Sequence, residues 1–368
     1  MVDIIEFVPQ KVGIEADDTH VVIWDQKTGS GGRSPTQQLL RNIDLSPRTV
    51  EFFARYLGDG RTSPNGRIHM SYTSIDTELV RKHIDDVEEL FGIGREQQRV
   101  YFYVPPGKKL QDKVRELNVQ QNQIKRYPGK RHKHVSITAQ YGNSLVAPLF
   151  VDLISSILEK DVLNSQEQHV AFFKGLFAAE GCVMINSRVG CLVALEFTLH
   201  REEYRLQAQL QRSLESLGIE YSTRDIIHTN ARVTTITGWK NYAACWSLGV
   251  LDGCSRKKHS FYEQLVRTDL HAEVSDVFKT AVRGSWESIQ ELSRYVGVSY
   301  NRLLYWFDTT TTLTVSELVC VATASGFTCG SVCDNITAIR ARVSDDIVAQ
   351  DFLNIYWDAL VSEGVIPN

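Results

Sequence analysis

The spacing of apolar positions predicts one series of elements that occurs twice along the chain. Each series begins with an apolar helix, and a hairpin follows it, as in RIHMSYT, where polar and apolar residues alternate from Arg67 to Tyr72. Next comes an amphipathic helix with apolar residues at i, i+3 and i+4, which ends near Gly92 in one series and near Gly218 in the other. A second hairpin and a short helix complete the unit. We therefore divide the chain into an extension at 1–46, repeats at 47–160 and 161–270, and a helical region at 271–368.

The opening helix of each series delivers a carboxylate at its last turn. VEFFARYLGDG ends at Gly60 and AFFKGLFAAEG ends at Gly181, so that Asp59 corresponds to Glu180. Each stretch also places two small residues four positions apart on one helix face, which lets two such helices pack closely. These small residues are Ala54, Gly58, Gly175 and Ala179. The packing brings both carboxylates to one end of the helix pair, where hard divalent cations find the oxygen ligands they prefer. This is the chemistry of a metal-dependent nuclease.

The two stretches resemble the paired motifs of the LAGLIDADG homing endonuclease family in its single-chain, two-repeat form. The resemblance implies an α+β fold, in which two pseudo-symmetric αββαββα halves form a β-saddle with the motif helices at their interface. It implies that Asp59 and Glu180 bind catalytic Mg²⁺ and that Gly60 and Gly181 close the motifs at the metal. The inner acidic position of the family motif is kept in neither stretch.

The family commonly carries a basic residue, often lysine, near each active centre on a late strand of each half. Lys133 and Lys240 lie in about the right region and are the candidates for this catalytic role. Neither falls on a strand position that clearly faces the acids. This departure bears on cleavage more than on DNA binding.

The resemblance also implies double-stranded DNA as the partner of a monomer with internal pseudo-two-fold symmetry. The formal net charge of −4 argues mildly against nucleic-acid binding. Positive charge is nevertheless concentrated in KRYPGKRHKH at 125–134 and SRKKH at 255–259, which are either phosphate contacts or solvated loops. The candidate DNA contacts are the polar residues of the predicted strands, of these two runs and of one C-terminal helix: Arg67, His69, Arg99, Lys130, Arg131, Asn186, Arg188, Arg224, Arg232, Arg256, Lys257, Lys258, Asn301 and Arg302.

The C-terminal region matches neither repeat. SWESIQELSRYVGVSYNRLLYWF predicts a helix from Ser288 to Val296, a turn at Gly297 and a second helix capped by Ser299. This arrangement resembles a helix-turn-helix, whose second helix would enter a major groove. The alternative is a small helical bundle that packs on the nuclease core or on a partner protein. In the N-terminal extension, VVIWD at 21–25 predicts a strand, and no function follows from the extension.

Composition excludes several classes of protein. The chain has seven cysteines without a CxxC pair, which disfavours a zinc site and a disulfide framework. No apolar stretch approaches the length of a membrane span, and the N-terminus lacks a signal pattern. We expect an intracellular protein with no membrane partner, cytoplasmic or nucleoid-associated, with an organelle left open.

Three functions fit these observations. The leading hypothesis is a site-specific, homing-type, intron-encoded DNA endonuclease that makes a metal-dependent double-strand break at a long target. A transcription regulator that binds DNA without cutting it resembles the combination of repeats with a helix-turn-helix, and retention of both acids speaks against it. An intron RNA maturase is the third possibility, which binding to duplex DNA or to folded RNA would separate.

Overall fold

The computed structural model describes residues 2–9, 12–25, 36–62, 69–129, 133–143, 145–159, 162–186, 191–267, 270–309, 311–341, 344–347 and 351–364. The described residues form helices together with mainly antiparallel sheets, which confirms the α+β class. Short 3₁₀ helices lie at Ile4–Phe7, Arg95–Gln97, Gln121–Gln123, Ile227–Thr229 and Val250–Gly253. Among the helices of these described ranges, none has the length and apolar composition that crossing a bilayer requires.

The N-terminal extension forms a small antiparallel sheet that is fastened to the first repeat. Its strands are β1 (Val2–Asp3), β2 (Val12–Ala16), β3 (His20–Asp25), β4 (Thr36–Leu40) and β5 (Asn42–Ile43). Strand β3 contains the VVIWD segment, which confirms the strand predicted there, and it pairs with β2 and β4. The hydroxyl of Tyr141 donates a 2.7 Å hydrogen bond to the side-chain oxygen of Gln37 on β4.

The first repeat begins with the motif helix and contains a five-stranded sheet. Its elements are α1 (Pro47–Asp59), β6 (Gly60–Thr62), β7 (Met70–Ser74), α2 (Thr77–Phe91), β8 (Gln98–Val104), α3 (Gln111–Leu117), β9 (Ile124–Pro128), β10 (Ser136–Tyr141) and α4 (Val146–Ser156). As predicted, Ser46 caps α1 and Pro47 occupies its first turn. The basic run at 125–134, for which phosphate contacts and a solvated loop were the two alternatives, begins in a strand, because its first residues form β9, which runs parallel to β8.

The second repeat contains a four-stranded sheet. Its elements are α5 (Gln166–Glu180), β11 (Gly181–Asn186), β12 (Cys191–His200), α6 (Tyr204–Ser216), β13 (Ser222–Ile226), β14 (Ala231–Ile236) and α7 (Trp239–Ser247). Helix α8 (Ser255–Arg267) follows and packs on β11 and β12. The strand order is β11-β12-β14-β13, and the first sheet repeats it as β6-β7-β10-β8, with β9 added at its edge. Both repeats therefore have the αββαββα order, with α3 and β9 inserted in the first.

Each sheet has one face against the core and one outer face. In the first sheet, Val100, Phe102 and Ile137 are buried in the core, and α2 packs on β7 and β10. In the second sheet, Phe197 lies against the motif helix, with its ring centroid 5.7 Å from that of Phe177. Side chains alternate between faces along a strand, so their neighbours in sequence lie on the outer faces.

The C-terminal region contains a sheet as well as the expected helices. Its elements are β15 (Leu270–Val274), α9 (Asp276–Gly284), α10 (Ile289–Val296), α11 (Tyr300–Asp308), β16 (Leu313–Thr314), α12 (Val315–Ala324), α13 (Cys329–Asn335), β17 (Ile336–Ala341), β18 (Ser344–Ile347) and α14 (Asp351–Ser362). The helix, glycine turn and second helix occur as predicted, with Gly297 at φ 72° between α10 and α11. The sheet β16-β15-β17-β18 is an addition that the helical pattern did not predict.

Candidate active site

The motif helices α1 and α5 pack against each other through their small residues. A Cβ atom added to Gly175 would lie 2.2 Å from the carbonyl oxygen of Glu51, and one added to Gly58 would lie 2.6 Å from the Cβ of Ala179. Contacts this short exclude any side chain, so the two backbones approach as closely as the small-residue pattern predicts. Because the contact of Gly58 with Ala179 lies in the last turn of both helices, it brings the ends of α1 and α5 together.

Asp59 and Glu180 are the last residues of the two helices, and both are half-buried. Burial and the nearby charges of Asp59 and Glu203 raise the pKa of Glu180 to about 7. Each helix also ends with its negative dipole beside its own carboxylate. The site therefore concentrates negative charge around oxygen donors.

A divalent cation fits this donor set. Among the described residues, no group of three or more His, Cys, Asp or Glu side chains is arranged to hold a metal ion. Mg²⁺, however, is commonly bound through one or two carboxylates and keeps several waters or substrate oxygens as its other ligands. Asp59 and Glu180 match that mode, with the predicted Gly60 and Gly181 directly after them at the start of β6 and β11.

The second motif helix, its hairpin and the elements up to the 3₁₀ turn after α7 match a known family model. Residues 167–251 match the LAGLIDADG-like domain. The second repeat is therefore a LAGLIDADG-like domain. The first repeat shares its strand order with this matched LAGLIDADG repeat and pairs with it through the motif helices.

Solved structures that align with the chain include LAGLIDADG proteins. A mesophilic variant of the homing endonuclease I-DmoI aligns at 13% identity and a TM-score of 0.35, over 56% of this chain and 90% of that one. I-DmoI in complex with DNA and Mn aligns at 15% identity and a TM-score of 0.33, over 56% and 97%. Full-length DUF199/WhiA from Thermatoga maritima aligns at 14% identity and a TM-score of 0.35, over 86% and 94%. At these values the alignments bear on neither activity nor partner. No curated protein sequence matches the chain.

A buried cation near Asp59 and Glu180 is Lys257 of α8, which is only 7% exposed. Its ammonium group donates to the carbonyl oxygens of Phe177, Ala178 and Ala179, each at 2.8 Å. These carbonyls lie in the last turn of α5, where helix carbonyls run short of backbone donors, although that of Phe177 also accepts from the N–H of Gly181. Burial lowers the pKa of Lys257, whereas the charge of Lys257 lowers that of Glu180. The prediction of Lys257 as a DNA contact is therefore not met, because its side chain is turned into the protein.

A sequence signal for this placement was available within the SRKKH run. Lys257, Phe261, Gln264 and Leu265 are all buried and follow the i, i+4, i+7, i+8 spacing of one helix face. Lys257 thus belongs to the inner face of α8. The prediction of one basic patch did not take this helical periodicity into account.

The two neighbours of Lys257 in the basic run have local partners. Arg256 is 2.9 Å from Asp76 at the start of α2, and both the backbone and hydroxyl of Ser255 donate to Glu78. These contacts join the second repeat to the first beside the motif helices. Lys258 lies 2.6 Å from Asp252. Arg256 and Lys258, predicted as phosphate contacts, are thus engaged in ion pairs within the protein.

The two lysines proposed for catalysis are on the surface. Lys133 is exposed in a bend before β10. Lys240 is at the start of α7; its side chain is 82% exposed, and its ammonium group lies 3.9 Å from Glu220. The cation whose charge acts on Glu180 is Lys257 rather than either of these. The structure does not bring Lys133 or Lys240 to the acids in the way the family pattern suggested.

The predicted base readers divide between the two faces of the sheets. Arg99 is exposed on the outer face of the first sheet, opposite Gln140, and His69 precedes β7 and is half-buried. Arg224 lies on the outer face of the second sheet, 3.4 Å from Glu196. Arg232 pairs with Asp225 at 2.7 Å.

Register places Arg232 and Arg224 on opposite faces. Arg224 lies opposite Val233 on β14, and Asp225 lies opposite Arg232. Arg232 is therefore at the edge of the core side, and its predicted place on the outer face is wrong. Four further predicted contacts lie outside the described residues, and Asn186 is described only through its backbone at the end of β11. The four are Arg67, Lys130, Arg131 and Arg188.

In the C-terminal region, Asn301 is exposed on α11 as expected. Arg302 lies 2.7 Å from Glu317, the residue whose carboxylate also caps the start of α12. Arg302 is thus tied to the next helix. The surface of α10 and α11 instead exposes Tyr295 and Tyr305, which are 73% and 57% exposed.

Proposed function

We propose that this LAGLIDADG protein is a DNA endonuclease that uses Mg²⁺ at Asp59 and Glu180 to break both strands of a duplex. The observation that supports it is the juxtaposition of these two acids at the ends of closely packed helices, where the charge of Asp59 helps to raise the pKa of Glu180. Two carboxylates held this close repel each other unless a cation lies between them, so their juxtaposition favours a bound metal ion.

The roles of the residues follow from this arrangement. Asp59 and Glu180 would hold the cation, with backbone oxygens of Gly60 and Gly181 next to it. A bound divalent cation supplies an acidified water and stabilises the leaving oxygen of the phosphodiester. Lys257 positions Glu180 by satisfying the last carbonyls of α5. Arg99 and Arg224 on the outer faces would contact the phosphates of the DNA.

The test is cleavage of a plasmid library with randomised inserts in Mg²⁺, with recovery of the broken ends by ligation and sequencing. Wild-type protein should enrich one long site, whereas Asp59→Asn and Glu180→Gln should enrich none while still binding the selected site in a gel-shift assay. Loss of duplex binding in both variants, or cleavage that survives both substitutions, would contradict the assigned roles.

A second candidate is a regulator that binds duplex DNA without cutting it. It is favoured by the use of the three ammonium hydrogens of Lys257, which are all donated to backbone carbonyls. No hydrogen remains on that lysine for a water or a phosphate. Sequence-specific binding by the wild type without cleavage in Mg²⁺ or Mn²⁺ would favour this candidate over the nuclease.

A further inference from the structure

The outer face of the first sheet carries three tyrosines that form a continuous row. Tyr101 and Tyr103 come from β8, and Tyr127 comes from β9 between them. The ring centroid of Tyr127 lies 6.0 Å from that of Tyr101 and 5.7 Å from that of Tyr103, and the planes differ by 25° and 23°. We call these three residues the tyrosine row.

The tyrosine row is not part of the hydrophobic core. Val100 and Phe102, which alternate with it on β8, fill the core on the other face of the sheet and are fully buried. Tyr127 is 42% exposed, although aromatic rings of this size are normally buried for their apolar area. The strand that supplies Tyr127 is present in the first repeat and is not part of the second sheet, which has the order β11-β12-β14-β13.

Two cations accompany the tyrosine row. The ammonium group of Lys125 lies 6.0 Å from the ring centroid of Tyr101, within the range of a cation–π contact. Arg99 precedes the row on β8 and is exposed on the same face. Both side chains are exposed, and neither forms an ion pair with a residue in the ranges that the structure describes. The face therefore combines flat aromatic surface with unneutralised positive charge.

We propose that the tyrosine row binds unpaired bases of a DNA strand. A base in a duplex is covered on both sides by its neighbours, so its flat face cannot meet an aromatic side chain. Unpaired bases have accessible flat faces, and aromatic side chains flanked by Lys or Arg are the usual platform for them. Lys125 and Arg99 match the charge of the connecting phosphates.

The second sheet offers a different surface at the corresponding place. Its outer face carries Glu196, which accepts hydrogen bonds from Arg224 at 3.4 Å and from Thr235 at 3.2 Å. Polar groups of this kind meet base edges and phosphates rather than base faces. The two halves therefore differ in what they bind, and the substrate carries an unpaired stretch on the side of the first repeat. This inference rests on the proposed function only in taking the outer faces as the DNA surface.

The test compares fluorescence anisotropy of a labelled twelve-nucleotide deoxythymidine strand with that of a labelled duplex, using full-length protein at one salt concentration without metal. Tyr127→Ala should weaken binding of the single strand about tenfold, the order expected for loss of one stacked base. Tyr127→Phe, which keeps the ring, should stay within about twofold of wild type. Tyr295→Ala, which removes an exposed tyrosine of α10, is the matched control and should have no effect.

The inference is overturned if Tyr127→Ala weakens the duplex as much as the single strand, or if Tyr127→Phe is as weak as Tyr127→Ala. Tighter binding of the corresponding uridine ribonucleotide strand would overturn the assignment to DNA. Cleavage of duplex DNA by a protein that ignores the single strand would leave the proposed nuclease intact and remove only this inference. If the protein binds the single strand through Tyr127 but does not cleave DNA, this inference stands and the proposed nuclease function is removed.

Discussion

The ammonium group of Lys257 donates a 2.8 Å hydrogen bond to the backbone carbonyl of Ala179, the residue before Glu180. It donates to the two preceding carbonyls as well. A buried cation thus caps the negative end of the helix that presents an acid to the proposed metal site. The lysine thus acts on the carboxylate of Glu180 both by its charge and by holding the backbone that carries it.

Replacement of this lysine should therefore weaken the fold. Lys257→Met removes a buried donor from the carbonyls of Phe177, Ala178 and Ala179, of which only that of Phe177 keeps the N–H of Gly181, and we expect the free energy of unfolding to fall by about 2 kcal/mol. Urea denaturation followed by circular dichroism measures the change. Lys258→Met is the control, since that side chain makes a surface ion pair with Asp252 and should change stability by less than about 1 kcal/mol. Equal effects of the two substitutions would contradict the capping role.

The raised pKa of Glu180 predicts how stability depends on pH in the absence of metal. The unfolded chain loses this proton near the ordinary pKa of 4.5, whereas the folded protein holds it up to about 7. The folded state binds more protons than the unfolded state in this interval. The contribution of Glu180 to the free energy of unfolding should therefore be full below about pH 4.5 and decline as the pH rises to about 7. Thermal unfolding between pH 4 and 8 tests this.

Glu180→Gln should flatten the decline over this interval. Mg²⁺ should raise the melting temperature of the wild type more at pH 8 than at pH 5, because the carboxylates must be ionised to bind it. A wild-type curve that is already flat without metal, or a metal effect that Glu180→Gln does not reduce, would contradict the prediction.

The close packing of the motif helices predicts intolerance of a single methyl group. Gly175→Ala places a Cβ 2.2 Å from the carbonyl oxygen of Glu51, and separating the helices should cost about 3 kcal/mol. Gly284→Ala is the matched control, because a Cβ there meets nothing within 4 Å at the end of α9. Its effect should stay within about 0.5 kcal/mol. Chemical denaturation of both variants decides whether the contact is as tight as the distance indicates.

The first motif helix also buries an ion pair that the second lacks. Arg55 and Asp86 are both fully buried, with 2.6 Å between Nη2 and Oδ2. Asp86→Asn removes the closest counter-charge of the buried guanidinium and leaves it Glu51 at 3.7 Å, which should cost about 3 kcal/mol of unfolding free energy. The aligned position in the second motif is Leu176, so replacing both residues of the pair by leucine should recover at least half of that loss. A double variant no more stable than Asp86→Asn would show that the pair stabilises the core by itself.

Much of the fold follows from local pattern. The closing glycines, the small residues four apart and the capping serine predict α1 and α5, and each repeat's αββαββα order follows from turns and apolar periodicity. The sequence pattern did not predict strand β9, because KRYP is short and basic and lies at a sheet edge, where a strand pairs with only one neighbour. The pattern did not predict the C-terminal sheet either, because its strands pair across long sequence separations, as β15 does with β17.

The chain alone determined which acids end the two motif helices, because that information lies in the order of residues over eleven positions. Only the tertiary structure decided which cation reaches those acids. Lys257 lies 77 residues beyond Glu180 and meets α5 through the packing of α8 on β11 and β12. The tertiary structure also decided that Arg224 and Arg232 lie on opposite faces of the second sheet, because the register between adjacent strands sets the face of each side chain. Long-range packing assigns partners to charges, and sequence spacing predicts only those on the same helix or strand.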